Sequence, residues 1–365
     1  MKALVWLTCH VRGAVSGEPR AVVSIYQCVA PGDPAGGPAA GDGVQSDKDS
    51  YAGRVSIPAV VDYAPTRYRH AFLLVDAELR VAPGTIVRVS TLDAHGRDGS
   101  GRQCAERSNP LCGPIHVEGA MPGDAVVVEI RQLQVQGRSG FTAPRIAPHL
   151  LTHPGEAPGE AGVVDWVLTH EGGSVRMHPA SGELVHLLVP VEPMLGCLGV
   201  AAASESAKHS IRAGVHGGNL DYQGVQAGSI LMLPVSYEGG LVFLGDGHAR
   251  QGDGETVGTG IEVPLDVEIR LDVLKGARLG APRGVTPKDV FTIGTGRPLD
   301  AALRGALDEL VAWLRSDTPL GEEAIAVLVG QMLAIDVANV FNPDYAVACR
   351  LPRAFLPDGF GTIGA

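Results

Sequence analysis

Apolar and polar residues alternate along much of the chain. The segments Ile86–Ser90 and Val263–Leu271 carry apolar side chains at every second position, and Val126–Ile130 is an almost continuous apolar run. A period of two places successive side chains on opposite faces of an extended chain, and β-branched residues favour that conformation. These segments therefore predict β-strands.

One short pattern occurs three times among these strands. A small residue and a glycine precede Thr, Asp or Ser, and an apolar run follows. The copies are VAPGTIVRV (81–89), AMPGDAVVVEI (120–130) and VQAGSILMLPV (225–235). The pattern predicts a turn that starts a strand. It is too short and irregular for a solenoid repeat.

Helical periodicity is found near the C-terminus. Leu299–Leu314 has apolar residues three and four positions apart, which predicts a helix with one apolar face. Glu322–Val340 is apolar nearly all round and predicts a second, well-buried helix that ends before Asn342 and Pro343. Asp336 lies inside it, and we expect a paired structural acid there. Because helices follow the strands instead of alternating with them, the predicted fold class is mainly β.

The first sixty residues differ in composition from the rest of the chain. Ala30–Gly53 is rich in Gly, Pro, Ala and Asp, which is typical of a flexible linker. We therefore expect an accessory N-terminal segment over residues 1–60 and the functional domain over residues 61–365. The whole chain has 365 residues, of which 45% are hydrophobic, so it can bury a sizeable core.

Charge and cysteine content restrict the class of protein. A net charge of −11 argues against nucleic acid as a partner. The chain has no run of eighteen apolar residues, so we expect no membrane partner. Its start, MKALVWLTCHVRGAVSG, is a poor secretory signal, and we expect a cytoplasmic protein. The 6 cysteines form no CxxC pair, which predicts free thiols and no disulfide framework.

The stretch FLGDGHARQGDGE (243–255) carries the densest candidate chemistry. In an extended chain Asp246 and His248 share a face, and Asp253 and Glu255 have the same spacing. Glycines allow the backbone to approach an ion closely. Mixed carboxylate and imidazole ligands suit zinc, nickel, iron or manganese better than calcium. The alternative interpretation is a pair of glycine-rich turns in which aspartate is favoured by turn chemistry.

Other stretches add weaker candidates. HGGNLD (216–221) places Asn219 and Asp221 behind two glycines, and Asp93 ends a predicted strand. His95 lies in a polar loop and is expected to be solvated, whereas Cys197 lies in an apolar run and is expected to be a packed thiol. The GxSxG, HExxH and glycine-rich phosphate-loop motifs are absent from the sequence.

Several long motifs, taken in order, resemble the acetamidase/formamidase family. The motifs are STLDA (90–94), NPLCGPIHVEGAMPGDAVVVEI (109–130), PMLGCLGVA (193–201), HGGNLD (216–221), AGSILMLPV (227–235), GDGHARQGDGE (245–255), GTGIEVPLDVEI (258–269) and EEAIAVLVGQMLAIDVANVFNP (322–343). The resemblance implies a β-sandwich or barrel architecture with inserted elements and C-terminal helices. It also implies a metal-dependent, cytoplasmic homo-oligomer that hydrolyses a short linear amide to a carboxylate and ammonia.

Polar positions in these motifs give the expected site. The matching residues are Asp93, Asn219, Asp221, Asp246, His248, Gln251, Asp253, Glu255 and Glu262. The expected ligands of a divalent metal ion are Asp93, Asp221, Asp246 and His248. We expect zinc, with nickel, iron, manganese and calcium as open alternatives. The expected catalytic residues are Glu255 as general base, Asp253 as its support, Glu262 as an alternative base and Asn219, or glycine N–H groups, for the oxyanion.

The chain departs from the family pattern in three stretches, and its N-terminal segment of about sixty residues has no obvious counterpart in the family. The stretches are HAFLLVDAELRVAPGT (70–85), the loop AHGRDGSGRQCAERSN (94–109) and GVAAASE (199–205). These differences leave the substrate open, and a larger amide, a formamide on a metabolite or a cyclic amide are alternatives. A further alternative is a non-catalytic protein that binds a small molecule and holds a structural ion. A structural metal site is closed, whereas a catalytic metal keeps an open position for water.

Overall fold

The predicted strands form three sheets in the computed structural model, which describes residues 58–153, 162–169, 173–178, 184–204 and 209–361. These residues belong to one compact unit. Nearly all of the expected accessory segment, with its linker and with Cys9 and Cys28, lies outside the described residues.

The strands of the first half are β1 (Val60–Tyr63), β2 (Leu79–Val81), β3 (Thr85–Ser90), β4 (Leu111–Val117), β5 (Ala125–Val135), β6 (Ser139–Thr142), β7 (Val164–Leu168), β8 (Ser174–His178) and β9 (Val189–Pro190). Those of the second half are β10 (Met194–Gly199), β11 (Ala213–Gly214), β12 (Gly217–Asn219), β13 (Ile230–Pro234), β14 (Val242–His248), β15 (Leu265–Leu274), β16 (Arg283–Val285), β17 (Asp289–Gly296), β18 (Ala334–Asn339) and β19 (Tyr345–Pro352). The two helices are α1 (Leu299–Asp317) and α2 (Glu322–Met332).

The three segments with the repeated turn pattern all form strands of the same sheet. This sheet has nine strands in the order β1-β3-β15-β5-β13-β16-β17-β19-β18. Strands β3, β5 and β13 carry the repeated pattern, and β15 lies between β3 and β5. Alternation in β3 and β15, the apolar run in β5 and the turn pattern before β13 thus predict these central strands correctly.

A second sheet packs on one face of the first. It has six strands in the order β11-β12-β10-β14-β4-β2. The largest core cluster joins Val128 and Ile269 of the nine-stranded sheet to Ile115, Leu198 and Leu244 of the six-stranded sheet, and all five side chains are 0% exposed. Face-to-face burial of two sheets gives a β-sandwich. The mainly β fold class is therefore confirmed.

Helix α1 covers the opposite face of the nine-stranded sheet. Its apolar face buries Leu310, Trp313 and Leu314 against Val290 and Leu351. The helix runs slightly beyond the predicted end, and Thr318 stops it by donating its hydroxyl to the carbonyl of Leu314 at 2.6 Å. The prediction of helices near the C-terminus is confirmed, since α2 also begins where the second helix was predicted.

The prediction of one long, buried helix over Glu322–Val340 is wrong. Helix α2 ends at Met332, and Ala334–Asn339 forms the edge strand β18 against β19. Isoleucine and valine in AIDVAN suit a strand, and pairing with β19 overrides the helical spacing. Helix α2 is also mostly exposed, with Ile325 its one buried residue. Asp336 is paired as expected, since it accepts hydrogen bonds from Tyr222 and Arg350 at 3.0 Å and 2.8 Å.

A third sheet has four strands, which lie in sequence between β5 and β10. Its order is β6-β7-β8-β9.

The cysteines in the described part of the chain, Cys104, Cys112, Cys197 and Cys349, are free thiols as predicted. Among the described residues, no helix has the length and apolar content needed to cross a membrane.

Candidate active site

The first half of the site lies on strand β14. This strand is inserted between β10 and β4, so all of its residues are buried. Asp246 and His248 are two residues apart and point to one spot, with Asp246 Oδ1 3.7 Å from His248 Nε2. Glu262 lies directly opposite His248, and its Oε1 is 3.1 Å from the same Nε2. Two carboxylates therefore flank one imidazole nitrogen inside the protein.

The second half of the site comes from two turns. Asp221 follows β12, and Glu255 ends a short 3-10 turn. The amide of Asn339, at the end of β18, donates to Asp221 Oδ2 at 2.6 Å and to Glu255 Oε2 at 2.5 Å. Asn219 and Asn342 also donate to Asp221 Oδ2, at 2.5 Å and 3.0 Å. Amide donors thus hold this pair of acids in place.

The hydrogen bonds of Gln251 define the orientation of His248. Gln251 Nε2 donates to the carbonyls of Asp221 and Ala338 at 2.6 Å and 3.3 Å, so its Oε1 is the acceptor. This oxygen is 2.9 Å from His248 Nδ1, which must then carry the proton. In the neutral ring, Nε2 consequently presents a lone pair toward the acids. A metal-binding histidine usually donates its other ring N–H to an acceptor of this kind.

Backbone strain is concentrated at the acids of the site. Asp221, Asp246 and Glu255 have φ angles of 46°, 57° and 46°, in the left-handed region. Non-glycine residues adopt this region rarely, and each such residue costs on the order of 1–3 kcal/mol. The surrounding structure maintains all three, and strain of this kind clusters at functional sites.

Three buried ligand atoms of the site have no hydrogen-bond partner. They are Asp221 Oδ1, His248 Nε2 and Glu262 Oε2. The ligand atoms of Asp221, His248 and Glu255 lie within 4.8 Å of one another, and so do those of Asp246, His248 and Glu262. A Cβ at Gly196 would lie 2.5 Å from Asp246 Oδ2 and 2.6 Å from Asp221 Oδ1. Glycine therefore keeps the space between the two aspartates open.

Burial of so many acids changes their protonation. Burial and the charge of Asp246 raise the pKa of Asp221 to about 6. Burial, reinforced by Asp246, raises the pKa of Glu262 to about 7 although His248 opposes it. Burial and the charge of Asp221 raise the pKa of Glu255 well above its usual range. Burial alone would lower the pKa of His248, but Glu262 and Asp246 raise it well above its usual value. The cluster thus retains protons that a bound cation would replace.

Two of the expected site residues lie outside this cluster. Asp93 is buried, but its Oδ1 accepts the backbone N–H groups of His95 and Arg97 at 2.9 Å and 2.8 Å and stabilises its own loop. Asp253 is exposed and accepts a hydrogen bond from Gln223 at 3.2 Å. The structure brings together Asn219, Asp221, Asp246, His248, Glu255 and Glu262.

The sequence did not reveal three residues that surround the cluster. Asn109 donates to Asp246 Oδ2 at 2.7 Å and to Asn219 Oδ1 at 3.2 Å. Asn339 lies inside the predicted helix Glu322–Val340 and Asn342 lies just beyond it, so the sequence pattern places neither at the site. Cys197 is fully buried as expected, but its thiol also lies 2.8 Å from Asn219 Oδ1. Burial and the charges of Asp246 and Asp221 raise the pKa of this thiol well above its usual value.

Comparison with known proteins gives consistent matches. The model of the Acetamidase/Formamidase family matches residues 179–298. A formamidase from Methylophilus methylotrophus is 29% identical over 247 residues, which are 53% of this chain and 61% of the relative. An acetamidase from Mycolicibacterium smegmatis is 26% identical over 241 residues, which are 52% of this chain and 59% of the relative. The chain thus spans about three fifths of the length of the curated relatives it matches.

Comparison of the fold with solved structures finds a similar protein of the same family. The crystal structure of an acetamidase from Yersinia enterocolitica superimposes with a TM-score of 0.71 at 28% identity, covering 84% of this chain and 95% of that one. The family model, the curated relatives and the solved structure confirm the resemblance to the acetamidase/formamidase family that the sequence motifs indicate.

Proposed function

We propose that the protein is a metal-dependent hydrolase that cleaves a short-chain carboxamide to a carboxylate and ammonia. The observation that carries the proposal is the buried cluster of four acids and one histidine, in which three ligand atoms have no partner. The names of the similar acetamidases and formamidases supply the class of substrate.

The residues present fit a divalent cation. Asp221 Oδ1 and His248 Nε2 are buried atoms without hydrogen bonds, and Asp246 is the nearest acid to His248 on the same strand. His248 belongs to both groups of neighbouring ligand atoms, so we assign it as a ligand together with Asp221 from one group and Asp246 from the other. One imidazole and two carboxylates suit zinc, with nickel, iron, manganese and calcium as alternatives. A bound metal would lower the pKa of water toward neutrality and polarise the substrate carbonyl.

Glu262 is the better candidate for the general base. Its Oε1 is held by the backbone N–H of Gly260 at 2.9 Å, whereas its Oε2 has no partner. Oε2 can accept a proton from the attacking water and return it to the departing nitrogen. Glu255 was the first expectation for this role, but Asn339 engages its Oε2.

The other polar groups position these residues. Gln251 fixes the ring of His248, and Asn339 holds Asp221 beside Glu255. The amide of Asn219 is already engaged with Asp221, which favours backbone N–H groups of the surrounding glycines for the oxyanion. Because Asp253 is exposed, we assign it no direct supporting role.

Ammonia release from formamide and acetamide tests the proposal. The purified full-length protein is assayed as isolated, after chelation, and after each divalent metal is added back, with bound metal measured by elemental analysis. We expect activity that chelation abolishes and one metal restores. A folded, metal-loaded protein that releases no ammonia would overturn the hydrolase assignment. Activity that persists without metal would overturn the metal dependence.

A non-catalytic metal-binding protein is the competing candidate. The free Oε2 of Glu262 favours the hydrolase, because a purely structural site has no need for a buried carboxylate oxygen without a partner. The homo-oligomeric state and cytoplasmic location that the resemblance implies stay predictions. Sedimentation of the purified protein tests the first of them.

A further inference from the structure

A chain of side-chain amides connects the two aspartates that we assign as metal ligands. The amide of Asn109 donates to Asp246 Oδ2 at 2.7 Å and to Asn219 Oδ1 at 3.2 Å. Asn219 donates in turn to Asp221 Oδ2 at 2.5 Å. Two hydrogen-bonded amides therefore link an aspartate on strand β14 to an aspartate in the turn after β12.

The contacts of both amides define their orientation. An amide nitrogen has two hydrogens, and those of Asn109 are both used, on Asp246 and on Asn219. Asn219 Oδ1 also lies 2.8 Å from the thiol of Cys197, a second donor, while its Nδ2 faces Asp221. A flip of either amide would bring donors against donors or acceptors against acceptors. The amide chain therefore has one satisfied arrangement.

In each aspartate the amides engage one carboxylate oxygen and leave the other. Asp246 Oδ2 accepts from Asn109, and Oδ1 is the oxygen that lies 3.7 Å from His248 Nε2. Asp221 Oδ2 accepts from Asn219, and Oδ1 is buried without a hydrogen-bond partner. The oxygens that the amides leave are the ones available to a cation beside His248.

The two aspartates differ in the number of amides that hold them. Asp221 Oδ2 accepts hydrogen bonds from three asparagine side chains. In the described part of the chain, Asn109 is the one side-chain amide that donates to Asp246. Without it, the nearest donor to Asp246 Oδ2 is the thiol of Cys197 at 3.6 Å, which is a weak partner at best. The orientation of Asp246 thus depends on Asn109.

A backbone corner fixes the position from which this amide extends. Ser108 and Asn109 have φ angles of 80° and 50°, in the left-handed region. The carbonyl of Ser108 accepts hydrogen bonds from His70 Nδ1 at 3.0 Å and from Ser210 Oγ at 2.8 Å. The N–H groups of Ser108 and Asn109 donate to the carbonyl of Ala94 at 3.1 Å and 3.3 Å. Three separate segments therefore maintain a conformation that non-glycine residues rarely adopt.

We propose that Asn109 is a positioning residue of the metal site. It determines which oxygen of Asp246 faces the cation, and through Asn219 it supports the orientation of Asp221. Both of its amide hydrogens are engaged within the cluster, so it acts through these residues and does not bind the metal or the substrate itself. This inference rests on the metal site of the proposed function.

The zinc affinity of Asn109→Gly tests the proposal. Glycine adopts a φ of 50° without strain, so this variant removes the amide and keeps the backbone corner. We expect the dissociation constant for zinc, measured by competition with a chromogenic chelator, to rise about 10–100-fold, the usual range for residues that orient a ligand. Asn219→Ala should raise it less, because Asp221 keeps two further amide donors. Unchanged zinc affinity in folded Asn109→Gly would overturn the proposal.

Gln103→Ala is the matched control. Gln103 lies in the same loop, and its amide donates to the carbonyls of His95 and Ala105, neither of which belongs to the acid cluster. The variant also removes two hydrogen bonds of a side-chain amide, so it reports the effect of a weakened loop alone. We expect unchanged zinc affinity. If Gln103→Ala weakens zinc binding as much as Asn109→Gly does, Asn109 merely holds the loop together and the positioning role is refuted.

Asn109→Asp provides a second variant of the same shape and serves if the glycine variant does not fold. Aspartate also tolerates the left-handed region. It replaces the donor nitrogen beside Asp246 with an oxygen, and neighbouring carboxylates repel each other. We expect a loss of zinc affinity at least as large as that of Asn109→Gly. A gain in affinity would show that residue 109 contacts the metal directly, which would overturn its assignment as a positioning residue.

Crystal structures of the metal-free wild-type protein and Asn109→Gly separate this inference from the proposed function. We expect the carboxylate of Asp246 to rotate in the variant, because its Oδ2 loses its amide donor. If the wild-type protein binds zinc but releases no ammonia, the hydrolase assignment fails while the zinc affinities still test Asn109. If it binds no divalent metal, the metal dependence fails and the orientation of Asp246 decides. The same orientation in both structures would refute the role of Asn109.

Discussion

Two Gly-Asp-Gly triplets lie seven residues apart in this chain, and they have different structures. Gly245-Asp246-Gly247 belongs to the central strand β14, and its aspartate is 2% exposed beside His248. Gly252-Asp253-Gly254 forms a surface turn, and its aspartate faces Gln223. Both triplets precede a residue of the acid cluster, His248 or Glu255. The same three letters thus place one acid inside the site and one outside it.

The glycines explain the difference. A Cβ at Gly245 would lie 2.7 Å from the carbonyl of Pro110, and one at Gly247 would lie 2.5 Å from Leu265. At Gly245 and Gly247 glycine permits close packing of the strands and does not make the backbone flexible. At Gly252 a Cβ would meet open space, and Gly254 has a φ of 81°, as a turn requires. Close packing brings Asp246 into contact with its partners, whereas the turn directs Asp253 outward.

Replacement of His248 should have the largest effect, because this residue belongs to both candidate ligand sets. We expect His248→Ala to lose stoichiometric metal and to lower amide hydrolysis to background, since no other imidazole is available in either set. Elemental analysis and the ammonia assay measure the two effects. Gln251→Glu keeps an acceptor for Nδ1 but loses the amide that donates to the carbonyls of Asp221 and Ala338, and it should retain more metal and activity than His248→Ala. Retention of metal and activity by His248→Ala would remove His248 from the site.

Replacement of Glu262 should separate catalysis from metal binding. Glu262→Gln preserves the shape of the side chain but removes the basic oxygen. We expect kcat to fall by about 10²–10⁴-fold, as for loss of a general base. Because we assign Asp221, Asp246 and His248 as the metal ligands, Glu262→Gln should retain the bound metal. Glu255→Gln is the informative comparison, and a larger loss of kcat in that variant would return the role of base to Glu255.

Loss of Asn339 should weaken the half of the site that the turns supply. Its amide is the one hydrogen-bond donor shared by Asp221 and Glu255 among the described contacts. We expect Asn339→Ala to reduce metal affinity by about 10–100-fold, as for other residues that orient ligands. Competition with a chromogenic chelator measures it. Asn342→Ala removes a single, longer bond to Asp221 of 3.0 Å and should have a smaller effect. Equal effects of the two variants would contradict the special role of Asn339.

The metal-free protein should become less stable as the pH rises. The pKa of Asp221 is raised from 3.8 to about 6 and that of Glu262 from 4.5 to about 7, so the folded state binds more protons than the unfolded state between those values. Stability therefore falls with increasing pH from about 4 to about 7. The raised pKa of His248 acts in the same direction at higher pH. Thermal unfolding from pH 5 to 8 measures the slope.

Two variants and the addition of metal make this test of pH-dependent stability more specific. Glu262→Gln should reduce the slope, because one group with a raised pKa is gone, whereas Asp253→Asn should leave it unchanged. Added metal should flatten it, because a cation favours the ionised carboxylates. A melting temperature of the metal-free protein that stays constant or rises over this pH range would show that the buried acids ionise at least as readily in the folded state as in the unfolded one.

Local patterns revealed the strands and part of the site. Alternation predicted β3 and β15, a continuous apolar run predicted β5, and the two-residue spacing of Asp246 and His248 placed both on one face. The same spacing failed for Asp253 and Glu255 because that segment is a turn. Asn109 and Asn339 reach the cluster from 137 and 118 residues away in sequence, measured to Asp246 and Asp221. Contacts at such separation follow from the packing of the sheets, which periodicity does not encode. The edge strand β18 was missed because its segment has helical spacing, which pairing with the neighbouring strand β19 overrides.

The smallest expected effect is that of Asp253→Asn, and it contrasts most directly with Asp246→Asn. Asp253 is exposed and makes one side-chain contact, at 3.2 Å to Gln223, so its loss should leave metal content unchanged and activity within about 2-fold, since surface substitutions usually change little. Asp246→Asn removes a charge that lies 3.7 Å from His248 Nε2 and should deplete the metal. Metal content and kcat/KM of the two variants, measured side by side, decide the comparison. If both variants lose metal to the same extent, the turn must carry its aspartate into the site in the active protein, and the two triplets would be equivalent after all.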